Sequence, residues 1–240
     1  TELGRLLDGF NRSALAKNCI VLLWSDHGWH LGEKLHWRKF TLWEEATHNV
    51  LMMKVPGLTK PGGRCDRTVS LMDVFPTLTD VCGVPAKKEC EGVSLRPLLA
   101  GTGPIAQPAI YWHYPHYSNQ GGSPSSAMRE GDWKLVQFYD DGRVELYNLK
   151  TDTSERHDLS RMFPARTATM LQMLNEWKKE SHAKIPSVNP YYNPDYQELM
   201  KATGETKNEF LARYDSLFSK KVFDPNLKVR IKEQLARYHQ

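Results

Sequence analysis

A chain of 240 residues can hold one large domain or two small ones, and its 40% hydrophobic content suffices to bury a core. The net charge of +4, with acids and bases interspersed, excludes the dense basic stripe of a nucleic-acid binder and suits an anionic small-molecule substrate. Four cysteines are too few for a disulfide scaffold, and no apolar run approaches the ~20 residues of a membrane helix.

Leu3, Leu6, Leu7 and Phe10 recur at helical spacing, so residues 2–13 read as an amphipathic helix. Residues 19–25 form an apolar run that reads as a buried parallel strand. The following stretch, 26–40, is rich in Gly, His and Trp and long for a strand-to-helix connection, as functional loops often are. A short helix is expected over 42–47 and a second buried strand over 50–55, closed by Pro56-Gly57. Asp73 reads as an N-cap for a helix whose apolar face is Val74, Phe75, Leu78, Val81 and Cys82, ended by Gly83. Cys82 and Cys90 flank a Gly-, Pro- and Lys-containing loop, which leaves either a small disulfide or two thiols open.

The Gly- and Pro-rich tract 101–108 marks a boundary between segments 1–105 and 106–185. Strands are expected over 109–114, 127–130, 133–139 and 144–149, with Asp140-Asp141-Gly142 as a hairpin turn. A helix over 165–181 presents Met170, Leu174 and Trp177 on one face and should pack on that antiparallel sheet. Residues 186–240 begin with a turn-rich tract and read as a helical C-terminal extension, with a helix start at Asp224-Pro225 and a stripe of Leu227, Ile231 and Leu235.

The chemistry concentrates in Ser25-Asp26-His27-Gly28, at the end of the first apolar run, where α/β sheets build their sites. Asp26 is a carboxylate suited to a Ca²⁺ or Mg²⁺, and the plain alternative is a loop turn. His27 beside it is a softer ligand, suited to the metal or to a bound anion. Lys39, between Arg38 and Phe40, adds a nearby cation, which suits an anionic substrate. Trp29, His36 and Arg38 are candidates for a sugar pocket by stacking and hydrogen bonding, and His113 and His116 lie in the aromatic Trp112–Tyr117 segment. Arg156-His157-Asp158 reads as a structural turn. Seven Trp and ten Tyr fit a carbohydrate-handling surface as well as a core.

The stretch from Ser25 to Gly57, SDHGWHLGEKLHWRKFTLWEEATHNVLMMKVPG, resembles the sulfatase family of the alkaline-phosphatase-like superfamily, in particular bacterial glycan sulfatases and iduronate-2-sulfatase. The resemblance continues, in order, through Asp66–Pro85, Gly92–Gly101, Tyr111–Gly122 and Gly142–Ser160, and so covers roughly residues 1–185. It implies an α/β fold: part of a mixed or parallel sheet flanked by helices, then a small C-terminal antiparallel sheet with a packed helix. It implies sulfate-ester hydrolysis on a sulfated oligosaccharide or glycosaminoglycan, with Asp26 and His27 on a Ca²⁺ (or Mg²⁺) and Lys39 and His27 contacting the reacting group. His36, Arg38, Trp29, His113 and His116 then line the substrate wall. It also implies a periplasmic, secreted or lysosome-like location.

The family's nucleophile lies in C-x-P-x-R or S-x-P-x-R, where Cys or Ser becomes formylglycine. No Cys or Ser here has Pro two positions on. The expectation is therefore a C-terminal portion, inactive alone, that partners an N-terminal portion carrying the formylglycine and the remaining ligands. The alternatives are a phosphodiesterase or phosphonate hydrolase of the same superfamily, or a fragment that binds glycans without catalysis.

Overall fold

The computed structural model describes residues 1–85, 89–106, 108–118 and 122–187. The helical pieces expected beyond these, including the Asp224 start, lie outside the described residues, as do Asn119–Gly121. Thr1–Pro186 holds together as one unit, so the change near residue 105 is a change of layer within it.

Helix α1 (Glu2–Arg12) is capped by the Thr1 hydroxyl, which accepts from the Gly4 amide at 3.2 Å. A short connection leads to β1 (Val21–Trp24), which pairs with β4 (Leu51–Lys54) in the register Val21↔Lys54 to Trp24↔Leu51. This pair is antiparallel and half open, with Trp24 53% and Met52 54% exposed, in place of the buried parallel strand that the apolar run suggests. An apolar run records which faces must leave water but carries no information on the direction of the neighbour.

Between β1 and β4 lie a minimal hairpin, β2 (His30–Leu31) with β3 (Trp37–Arg38), and the single-turn helix α2 (Glu44–Thr47). Helix α3 (Val74–Val81) ends at Gly83, whose φ of 68° suits the left-handed C-terminal turn. Its Asp73 does not cap it by side chain. Instead Asp73 closes a capping box with Ser70 one turn earlier and accepts the Val93 amide at 2.9 Å. Helix α4 (Arg96–Ala100) follows. The four cysteines are free thiols, Cys82 and Cys90 included.

Strands β5 (Ile110–Tyr114), β6 (Ser125–Glu130), β7 (Trp133–Phe138) and β8 (Val144–Asn148) form an antiparallel meander in chain order. Asp140-Asp141-Gly142 makes the β7–β8 turn, with the Asp141 carboxylate accepting the Arg143 amide at 3.0 Å. Period-two alternation divides this sheet into two faces. Met128, Leu135 and Leu146 pack on α5 (Pro164–Glu180) through Met170 and Leu174, and Trp177 stacks on Tyr111 at 4.9 Å. Ala127, Val136, Phe138 and Tyr147 bury the other face against Leu42 and Trp43, which leads into α2. The sheet is thus a platform with a helix beneath and the loop after β1 laid across its top.

Candidate functional site

The loop from Asp26 to Thr47 is seated at several points. Gly28 donates its amide to the Ala46 carbonyl at 2.8 Å, and a Cβ at residue 28 would lie 2.0 Å from the Glu45 carbonyl oxygen. Only glycine allows that approach. Asp26, at the mouth of the loop, has a side chain 78% exposed. Its Oδ2 stands 3.3 Å from Nε2 of His27, whose Nδ1 lies 2.7 Å from the Gly28 carbonyl. A carbonyl only accepts, so Nδ1 carries a proton and donates, which leaves Nε2 as the nitrogen that faces Asp26. A carboxylate oxygen and an imidazole nitrogen at this distance share either a proton or a cation between them. That arrangement suits a metal ion held by one carboxylate oxygen and one imidazole nitrogen. Among the described residues no third His, Cys, Asp or Glu joins them. Trp29 stacks on His27 with ring centres 5.9 Å apart.

Further along, His30 is fully buried, with Nε2 2.7 Å from the Thr41 hydroxyl. Burial pushes its pKa down, against the pull of Glu45, so its ring is neutral. His36 packs edge-on to Trp43 at 5.2 Å and donates from Nδ1 to the Lys34 carbonyl at 2.6 Å. Arg38 is exposed, at φ 69°. The Lys39 ammonium lies 5.7 Å from the Phe40 ring, Phe40 stacks on Tyr114 at 6.0 Å, and Tyr114 meets His116 edge-on at 5.4 Å. Gly122, at φ 93°, presses on the Phe40 carbonyl so closely that a Cβ would stand 1.9 Å away. His116, two residues past β5, and Lys39 from the loop are therefore linked through two rings.

His113 is not brought to this group. It follows Trp112 and precedes Tyr114 in β5, so alternation turns it to the α5 side. There its nitrogens meet the Ser126 hydroxyl at 2.7 Å and the Lys184 carbonyl at 3.0 Å. The Arg156–Asp158 segment forms a hydrogen-bonded turn, with Asp152 accepting the amides of Arg156 and His157.

One cluster escapes a reading of the sequence. Lys134 is completely buried, yet its ammonium bonds Glu44 Oε1 at 2.8 Å and the Thr47 hydroxyl at 3.1 Å, and lies 3.2 Å from Glu155 Oε1. Arg129 adds a second cation 3.2 Å from Glu44 Oε2. Burial pushes the Glu44 pKa up, but Lys134, Arg129 and His48 outweigh it and hold the carboxyl below its ordinary range. For Glu155 burial prevails over Lys134, and its pKa is raised. The available signal was Lys134 itself, a cation in the core-facing phase of β7 with Val136 and Phe138.

A family model described as N-sulphoglucosamine sulphohydrolase, C-terminal, matches residues 32–183. The chain belongs to this sulfatase family. A sulfatase of Formosa agariphila is 34% identical over 154 residues, covering 64% of this chain and 29% of the relative. An N-acetylglucosamine-6-O-sulfatase of Bacteroides thetaiotaomicron is 28% identical over 186 residues, covering 75% and 33%. Human arylsulfatase K is 26% identical, covering 88% and 40%. A solved structure in complex with its substrate D-glucosamine-2-N,6-O-disulfate aligns at TM-score 0.62 and 29% identity, over 74% of this chain and 37% of that one. The chain thus spans about a third of the length of the curated relatives it matches. The fold is shared more widely: a phosphonate monoester hydrolase of Agrobacterium radiobacter aligns at TM-score 0.62 with 22% identity, over 75% of this chain and 38% of that one.

Proposed function

We propose that this chain is the C-terminal part of a sulfatase that hydrolyses sulfate esters on sulfated glycans, with glucosamine sulfates the first substrates to try. The pairing of an exposed Asp26 carboxylate with the His27 imidazole, its Nε2 3.3 Å away, in a chain of sulfatase family, carries this reading. In it, Asp26 and His27 hold a Ca²⁺, or a Mg²⁺ in its place, which when bound supplies positive charge for the sulfate oxygens. The nucleophile is a formylglycine on a preceding segment, which supplies a hydroxyl for attack on sulfur. Lys39, kept near the apolar ring of Phe40, neutralises charge on the departing sugar oxygen. Trp29 offers a stacking face, while His36, Arg38 and His116 provide polar contacts to the sugar. A periplasmic, secreted or lysosome-like setting fits such a substrate.

The test is sulfate release, by ion chromatography, from N-acetylglucosamine-6-sulfate, glucosamine-2-N,6-O-disulfate and a phosphonate monoester, by the polypeptide containing this chain and its nucleophile segment. Sulfate release with the phosphonate left intact supports the proposal. Cleavage of the phosphonate alone transfers the chain to the hydrolases that share its fold.

A further inference from the structure

A single residue outside the loop, Glu155, grips both ends of the segment that carries the candidate cations. Its carbonyl accepts from the Lys34 ammonium, and its Oε2 accepts the Glu44 amide at 2.6 Å. Between these two grips lie His36, Arg38 and Lys39. The carboxylate is steadied by buried Lys134, which bridges Glu155 and Glu44. Glu155 is itself fixed by a turn, its amide bonding the Asp152 carbonyl at 3.2 Å while Asp152 also takes the next two amides.

Backbone strain falls in the same places. Lys34, Leu35, Arg38 and Glu155 have φ of 51°, 59°, 69° and 51°, four of the five non-glycine residues with positive φ among the described residues. Such conformations persist only where surroundings over-determine them, and they gather at functional sites. Here the surroundings are the two grips.

We infer that Glu155 is a positioning residue for the candidate site, holding segment 34–44 so that Arg38 and Lys39 meet an anionic substrate already arranged. The catalytic consequence rests on the sulfatase reading, whereas the anchoring stands independently of it. Preorganised charge of this kind acts on the transition state without reorganisation.

Hydrogen–deuterium exchange on the protein, wild type against Glu155→Gln and Lys34→Met, reads the anchoring. Glu155→Gln keeps the side-chain size and removes the charge. The amides of Thr41 and Glu44 should then exchange about tenfold faster or more, while Leu35 and His36, still held through the Glu155 carbonyl, and amides paired between β6 and β7 keep their protection. Lys34→Met releases the other grip, so Leu35 and His36 should speed up and Glu44 should not. Acceleration spread evenly over the sheet, or no change in 35–44 in both variants, overturns the anchoring.

In parallel, kcat of Glu155→Gln on N-acetylglucosamine-6-sulfate should fall about tenfold with KM within about twofold. A loosened loop with kcat and KM unchanged overturns the positioning role. Wild-type protein without turnover would count against the sulfatase reading, and the exchange data would still decide the anchoring.

Discussion

Lys134→Met should be among the most destabilising substitutions in this chain. The methionine fills the same space on the sheet's upper face, so little is lost in packing; what changes is charge. Glu44 and Glu155 would face each other across the site of the lost cation, with Arg129 still 3.2 Å and His48 3.9 Å from Glu44. Breaking a fully buried pair by removing one partner costs about 3–5 kcal/mol. For a unit of this size each kcal/mol shifts Tm by about 2–4 °C, so Tm should fall by roughly 6–20 °C. Urea unfolding followed by tryptophan fluorescence measures the free energy, and calorimetry the Tm. The triple variant Lys134→Met, Glu44→Gln, Glu155→Gln leaves no unpaired acid and should regain more than half of the loss. A loss below about 1 kcal/mol in the single variant, or a triple variant less stable than the single, would refute the reasoning.

Leu174→Ala, which empties a fully buried position between α5 and the sheet, should cost about 2–5 kcal/mol by urea unfolding. Gly122→Ala should cost about 1–3 kcal/mol and loosen the Phe40–Tyr114 stack, because its Cβ would stand 1.9 Å from a carbonyl oxygen; nuclear Overhauser contacts between the two rings report it. Burial raises the Asp158 pKa, but the amides of Leu146 and Ser160 outweigh it and hold the carboxyl below its ordinary range. Its stabilisation is therefore present above the unfolded carboxylate range and lost as pH falls through the folded value. Asp158→Asn should flatten the acid limb of a Tm-versus-pH curve below pH ~4.

The C-terminal layer was legible because its signals are local. Alternation marks β7 and β8, Asp140-Asp141-Gly142 marks their turn, and Met170, Leu174 and Trp177 mark the buried face of α5. The direction of β1 was not legible, because pairing depends on a strand some thirty residues away and not on the apolar run itself. Asp73 looked like the cap of α3 because an acid before a helix usually is one; its oxygens are taken by Ser70 and Val93. The side to which His113 turns follows from parity, since Trp112 and Tyr114 beside it face the loop. Of the candidate site, the residues from Asp26 to Lys39 were visible as composition. The device that holds them was not, because Glu44, Lys134 and Glu155 are far apart in sequence, and the core-facing phase of Lys134 in β7 does not name its partners.

The most direct test of the account compares leaving groups. In the intact sulfatase, Lys39→Met should lower kcat about 10²-fold on a sugar sulfate, whose alkoxide needs neutralising, and much less on nitrophenyl sulfate, whose leaving group carries its own charge well. That steepened dependence is the result predicted for a lysine at the bridging oxygen. Equal losses on both substrates, or no loss on either, would contradict it.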